Sequence, residues 1–218
     1  MESEQIKKLD EIGKLYEKAS KLTIDYWQSY SSFNTWQFWF LLSLLVLPLV
    51  ALYFFLDRKK AFHIGFYGYS VHMLFHYIDT YFYTNRLANY PYKVIPFLPT
   101  SLTLDTAFIP VSFMLLYQWT LNKNKNYYLY ATGLCLFLSF LFKPALVAYG
   151  LFKMYKWVNY FHLFLGYLTV ALLSKWITNV FLYFQKEAQA SEPRDEVKAP
   201  RERRFFLSRL FSFRKKAR

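Results

Sequence analysis

The sequence predicts an all-α, polytopic helical membrane protein with about five transmembrane helices. Three observations support this class. Apolar residues dominate the central part of the chain, where only three of the fourteen acidic residues occur, Asp57, Asp79 and Asp105. Apolar runs of about 20 residues recur there, and that is the length a helix needs to cross the hydrocarbon of a bilayer. Charged segments separate and flank these runs, as in a membrane domain with two soluble ends.

This segregation divides the chain into four regions of different composition. They are an N-terminal amphipathic helical segment, a transmembrane helical bundle, a flexible polar linker and a basic amphipathic tail, over residues 1–35, 36–184, 185–200 and 201–218 in turn. In the first region, apolar residues between Ile6 and Tyr26 recur at spacings near three, four and seven, which predicts a helix over 2–30. We expect this helix to lie at the membrane surface or to pair with another copy, so a homo-oligomer is left open.

Five spans are predicted in the bundle, each ending at a polar or proline-containing segment. They cover residues 36–56, 61–84, 101–121, 127 to about 147–151, and 157–184. Pro110 lies inside the third span, and Lys143-Pro144 interrupts the fourth. The segment after residue 185 carries eleven lysines and arginines. Because basic segments remain in the cytoplasm, an odd number of spans predicts a cytoplasmic C-terminus and an external N-terminus.

Eight polar residues of spans two to five fall at one predicted depth, in the outer third of the bilayer. Alternating span directions bring them together, since the second and fourth spans run outward and the third and fifth run inward. Ionisable groups inside a membrane usually face the bundle interior and pair, so we expect Lys143 to pair with Asp79 or Asp105. The predicted cluster consists of His72, His76, Asp79, Ser101, Asp105, Lys143, Asn159 and His162.

Such a cluster favours a membrane protein that binds or conducts a small polar solute or ion, and an enzyme less than a non-enzymatic protein. Two alternatives stay open: a metal-dependent, hydrolase-like membrane enzyme, and a structural or assembly protein whose cluster only sets helix packing. No cofactor is predicted, although a divalent metal such as zinc is left open because two histidines one helical turn apart can converge on an ion. Its four ligands would be His72, His76, Asp79 and His162.

The tail combines basic residues with phenylalanines and leucines at helical spacing. A basic amphipathic helix is typical of segments that bind anionic lipid headgroups at a bilayer surface, and nucleic acid is not expected as a partner. The predicted headgroup-binding residues are Arg201, Arg203, Arg204, Arg209, Arg214, Lys215, Lys216 and Arg218.

Three stretches carry a resemblance to a known family: "LPTSLTLDTAFIPVSFMLLYQW", "FLFKPALVAYGLF" and "KWVNYFH". Over about residues 60–182 the chain resembles a family of small, uncharacterised multi-span membrane proteins of spore-forming Bacillus-like bacteria. The resemblance implies a bacterial plasma membrane or spore membrane and no particular activity. In that family an acidic residue often precedes the proline at the position of Lys143, so an ion pair at Lys143 would be particular to this chain.

Overall fold

The computed structural model describes residues 2–191 of the chain. The predicted headgroup-binding residues of the tail, and the predicted linker beyond residue 191, lie outside this range. Contacts divide the chain into two units, Met1–Asn179 and Val180–Arg218, and the helical bundle described below belongs to the first.

The described residues are mostly helical, as the sequence predicts. The α-helices α1 to α7 are Glu2–Tyr30, Trp36–Phe55, Ala61–Thr84, Ile109–Asn122, Tyr127–Phe137, Lys143–Ala148 and Tyr160–Ser191. A short 3-10 turn at Arg58–Lys60 precedes α3. Helix α7 continues to Ser191, so the first seven residues of the predicted flexible linker are helical. Their sequence explains this, because lysine, glutamate, alanine and glutamine are all good helix formers.

Two π-helical turns each precede a proline in the bundle. Thr103–Phe108 leads into α4, whose second residue is Pro110, and Leu138–Phe142 joins α5 to α6, whose second residue is Pro144. Proline has no backbone N–H, and its ring clashes with the carbonyl four residues earlier, so a helix widens before it rather than continuing regularly. The prolines therefore disturb the helices without ending them.

The core of the bundle lies among α3, α4, α5, α6 and α7. Its fully buried members are aromatic and aliphatic residues on the facing sides of these helices, among them Tyr67, Val71, Phe113, Tyr117, Leu138, Val170 and Ala171. Helix α2 packs against the first π-helical turn and α4, yet only Leu41 of its twenty residues is buried. Most of the apolar surface of α2 therefore faces outward.

The two ends of the bundle are built differently. At one end, which we call the strand end, the connections at 85–102 and 149–159 pair through the short antiparallel strands β1, Ala88–Asn89, and β2, Lys153–Met154. At the other end, the turn end, the connections at 56–60 and 123–126 are short. Helix α1 joins the strand end, where the Trp27 indole N–H donates to the Lys93 carbonyl at 2.8 Å.

Within the described range, three helices are long and apolar enough to cross a membrane: Trp36–Phe55, Tyr127–Ala148 and Tyr160–Ala190. The other two predicted spans correspond to α3 and to the π-helical turn with α4. These two helices contain Asp79 and Asp105, which lower their mean hydropathy. The same two aspartates identify these two helices as the polar part of the bundle.

Candidate functional site

The first half of the site joins α3 to the π-helical turn before α4. The His72 ring donates from Nδ1 to the backbone carbonyl of Asp105 at 2.7 Å. One turn further along α3, His76 Nδ1 lies 3.3 Å from Asp105 Oδ2 and 3.4 Å from the Thr100 hydroxyl. The Asp105 side chain is 1% exposed and that of His76 is 40% exposed. His76 therefore lies between the buried carboxylate and the surface of the bundle.

The second half of the site joins α3 to α6 through a tyrosine. Lys143 Nζ donates to the Tyr90 hydroxyl at 3.0 Å, and that hydroxyl donates to Asp79 Oδ1 at 3.1 Å. All three residues are buried. The ammonium also lies 3.7 Å above the centre of the Phe152 ring, where a cation–π interaction offsets part of its lost hydration.

The predicted direct ion pair of Lys143 with Asp79 or Asp105 is wrong. Within residues 2–191, neither carboxylate forms an ion pair with that lysine. The reason is that the connection at 85–102 folds back into the bundle and inserts the Tyr90 hydroxyl between the two charges. A hydrogen-bonded chain from Lys143 through Tyr90 to Asp79 takes the place of the ion pair.

The same connection buries a second lysine. Lys93 Nζ donates to the carbonyls of Leu98 and Pro99 at 2.9 and 2.6 Å. Burial lowers the pKa of Lys93 to about 8, and the negative charges of Asp79 and Asp105 oppose this shift. The site thus contains two aspartates and two lysines, so its formal charges balance when all four groups are ionised.

Sequence reasoning missed Tyr90, Lys93 and Thr100 because it took site residues only from the predicted spans, and these three lie between the second and the third span. A signal was present: this connection has three prolines, many aromatic and aliphatic residues, and one charged residue after Arg86. A loop of that composition resembles a buried segment more than a solvated one.

Three polar atoms of the site have no hydrogen-bond partner among residues 2–191: Asp79 Oδ2, Asp105 Oδ1 and the Tyr167 hydroxyl. Asp79 and Tyr167 line a small cavity of about 30 Å³ together with Lys143 and His162. Such a volume is large enough for a water molecule. Buried polar atoms are nearly always paired in proteins. The hydroxyls of Thr80, Ser139 and Ser174 are also unpaired among the described residues, but only this cluster leaves carboxylate oxygens unpaired.

The remaining predicted site residues lie at the margin. His162 lines the small cavity, but its ring is held at 2.9 Å by Asn159, which caps the first turn of α7. Asn159 is exposed and does not enter the buried cluster. Ser101 is buried, and its carbonyl accepts the first hydrogen bonds of the π-helical turn that contains Asp105.

The four predicted metal ligands do not form one coordination group. His72 and His76 point toward Asp105, whereas Asp79 and His162 meet at the small cavity. Across the part of the chain that the structure describes, no group of three or more His, Cys, Asp or Glu side chains is arranged to hold a metal ion.

Two adjoining cavities lie beside the paired connections of the strand end. One has a volume of about 450 Å³ between the second half of α1 and the two paired connections, and Tyr90 and Lys93 form part of its wall. The other, of about 380 Å³, adjoins it and shares Tyr83, Asn89 and Tyr155 with it. Tyr90 therefore contacts the larger cavity and also bonds to Asp79.

Comparisons with protein families, with curated proteins and with solved structures find no match to this chain. The geometry of the site is therefore the basis on which its function is inferred.

Proposed function

We propose that the chain is an integral membrane protein with five spans that binds or conducts a small polar solute or ion at the outer end of its bundle. The three long apolar helices support membrane insertion. So does the outward-facing apolar surface of α2, because such a surface suits hydrocarbon better than water.

The proposed topology places the strand end outside and the turn end in the cytoplasm. Five helices that alternate in direction put α1 and both strand-end connections on one side, which agrees with their mutual contacts. Reporter fusions test this. A reporter placed before residue 30 should be external, and one placed after residue 185 should be cytoplasmic. Both reporters on the same side would mean an even number of crossings.

The observation that carries the functional proposal is the pair of unbonded carboxylate oxygens in a buried cluster of two aspartates and two lysines. An unpaired buried acceptor costs about 1–3 kcal/mol, and more when it is charged. A cluster that served only to hold helices together would be expected to use these oxygens. Their availability beneath an open cavity instead favours a site that receives a proton, an ion or a polar group of a solute.

A flux experiment tests the proposal. The full chain is reconstituted in liposomes, and uptake of protons, sodium, potassium, chloride, phosphate and glycerol is followed with and without protein. We expect protein-dependent transfer or saturable binding of at least one probe, and we expect Asp79→Asn to abolish it. Asp10→Asn, the same chemical change at an exposed position of α1, is the matched control and should behave as wild type.

Equal behaviour of the wild type, Asp79→Asn and protein-free liposomes for every probe would overturn the proposal. The cluster would then serve only to set helix packing. Its hydrogen bonds between α3, α6 and the π-helical turn are suited to that role.

A further inference from the structure

The larger cavity at the strand end has a one-sided charge. Its cationic lining residues are Lys93 and Lys153, and Arg86 lies in the adjoining cavity. Neither cavity has an aspartate or glutamate among its lining residues. The buried aspartates Asp79 and Asp105 lie deeper, within the cluster. The charged side chains that line the larger cavity are therefore all cationic.

The remaining lining of the larger cavity is aromatic and polar. It includes the rings of Tyr26, Trp27, Tyr83, Tyr90 and Tyr155. Aromatic walls with a few fixed polar groups are typical of small-molecule sites, and a volume of about 450 Å³ lies in the range of such sites.

Lys93 and Lys153 differ in burial and in the contacts that their ammonium groups make. Lys93 is buried and uses two of its three ammonium protons on the Leu98 and Pro99 carbonyls. Lys153 is exposed and holds its ammonium 5.2 Å above the Tyr155 ring. One lysine thus presents a fixed charge and the other a movable one, on opposite connections of the strand end.

We propose that this cavity binds the oxyanion group of a small solute, a phosphate or carboxylate, between Lys93 and Lys153, with the body of the solute against the tyrosine rings. The inference rests on the proposed function, since it names the class of solute that the outer cavity admits. The oxyanion belongs either to a soluble molecule or to a phospholipid headgroup of the outer leaflet, and both present the same chemistry to the lysines.

Binding of radiolabelled glycerol 3-phosphate to the full chain in phosphatidylcholine nanodiscs tests the inference. We expect saturable binding with one site per chain. Lys153→Met should weaken it about tenfold, because a hydrogen bond to a charged group is lost. Lys93→Met should weaken it at least as much. Lys125→Met, which removes an exposed lysine at the turn end, should leave the affinity unchanged.

Nanodiscs that contain phosphatidylglycerol separate the two sources of the oxyanion. If a lipid headgroup occupies the cavity, this lipid lowers the apparent affinity for glycerol 3-phosphate; if the solute is soluble, the affinity stays the same. Both results support the inference. Absence of saturable binding in phosphatidylcholine nanodiscs, or binding that neither Lys153→Met nor Lys93→Met weakens, would overturn it. Lys153 is exposed, so this variant remains informative if Lys93→Met does not fold.

The liposome experiment with Asp79→Asn distinguishes this failure from that of the proposed function. Asp79-dependent transfer of a cation or proton, without binding of glycerol 3-phosphate, would remove the oxyanion assignment and leave the proposed function standing. Loss of both signals would remove both.

Discussion

Two polar networks lie in the bundle, and they differ in how many of their polar atoms have a hydrogen-bond partner. Near the turn end, His63, Tyr67, Tyr117, Tyr127 and Lys175 form what we call the tyrosine network. His63 Nε2 lies 2.8 Å from the Tyr117 hydroxyl, which also accepts from Lys175 Nζ at 3.0 Å. Tyr67 bonds to Tyr127, which in turn donates to the Ala171 carbonyl. Each of the three hydroxyls thus has a partner.

The cluster at the strand end has the opposite character. It contains the buried carboxylates of Asp79 and Asp105, yet one oxygen of each and the Tyr167 hydroxyl have no partner in the described part of the chain. It also adjoins cavities, whereas the tyrosine network is bonded to itself and to backbone. The comparison indicates that the tyrosine network stabilises helix packing. It also indicates that the strand-end cluster leaves polar atoms available to bond with a solute or ion that enters.

The largest expected effect is at Lys143, the buried cation of the strand-end cluster. Lys143→Met removes the cation that is connected to Asp79 through the Tyr90 hydroxyl. Breaking one side of a buried charge pair typically costs about 3–5 kcal/mol, and we expect a loss of stability in that range. Thermal unfolding of the protein in detergent or nanodiscs measures it. A variant as stable as the wild type would mean that the aspartate is not charged in the folded protein.

A matched pair of tyrosine substitutions sharpens the comparison. Tyr90→Phe removes a hydroxyl between two charged groups and should cost about 1–3 kcal/mol, because it leaves buried charged atoms without a partner. Tyr67→Phe removes one neutral hydrogen bond and should cost about 0.5–1.5 kcal/mol. Unfolding under the same conditions compares them. A larger loss from Tyr67→Phe would reverse our assignment of the two networks.

A pH dependence of stability is expected from Lys93. Its pKa of about 8 in the folded protein is below the usual value of 10.5. Between these values the unfolded chain binds the additional proton, so stability contributed at this residue rises with pH from about 8 to 10.5. The melting temperature of the wild type should therefore rise relative to that of Lys93→Met between pH 8 and 10. A difference that is constant or falls with pH would contradict this burial of Lys93.

Most of the helices can be predicted from the sequence, because they depend on local periodicity and on runs of apolar residues. The predicted helix over 2–30 agrees with Glu2–Tyr30, and α2 and α3 begin at the predicted residues. Whether all five helices cross a membrane stays a prediction, because the polar groups of α3 and of the helix at Thr103–Asn122 weaken the hydropathy signal on which it depends.

Only part of the candidate site could be predicted from the sequence. The spacing of His72, His76 and Asp79 places them on one face of α3, and alternating helix directions bring Asp105 and Lys143 to the same end. Tyr90 and Lys93 lie beyond such reasoning, because the path of a connection depends on tertiary packing rather than on a repeating pattern. Because this connection folds inward, a hydrogen-bonded chain through Tyr90 takes the place of the expected ion pair.

The central claim is that the strand-end cluster is kept for an entering solute or ion and not for the stability of the fold. The melting temperature of the double variant Asp79→Asn/Lys143→Met tests it most directly. Replacing both members of a buried charge pair by uncharged residues of similar volume is often neutral or stabilising. We therefore predict a melting temperature within about 4 °C of the wild type or above it. A melting temperature as low as that of Lys143→Met alone would contradict the account, because the charges would then be holding the helices together.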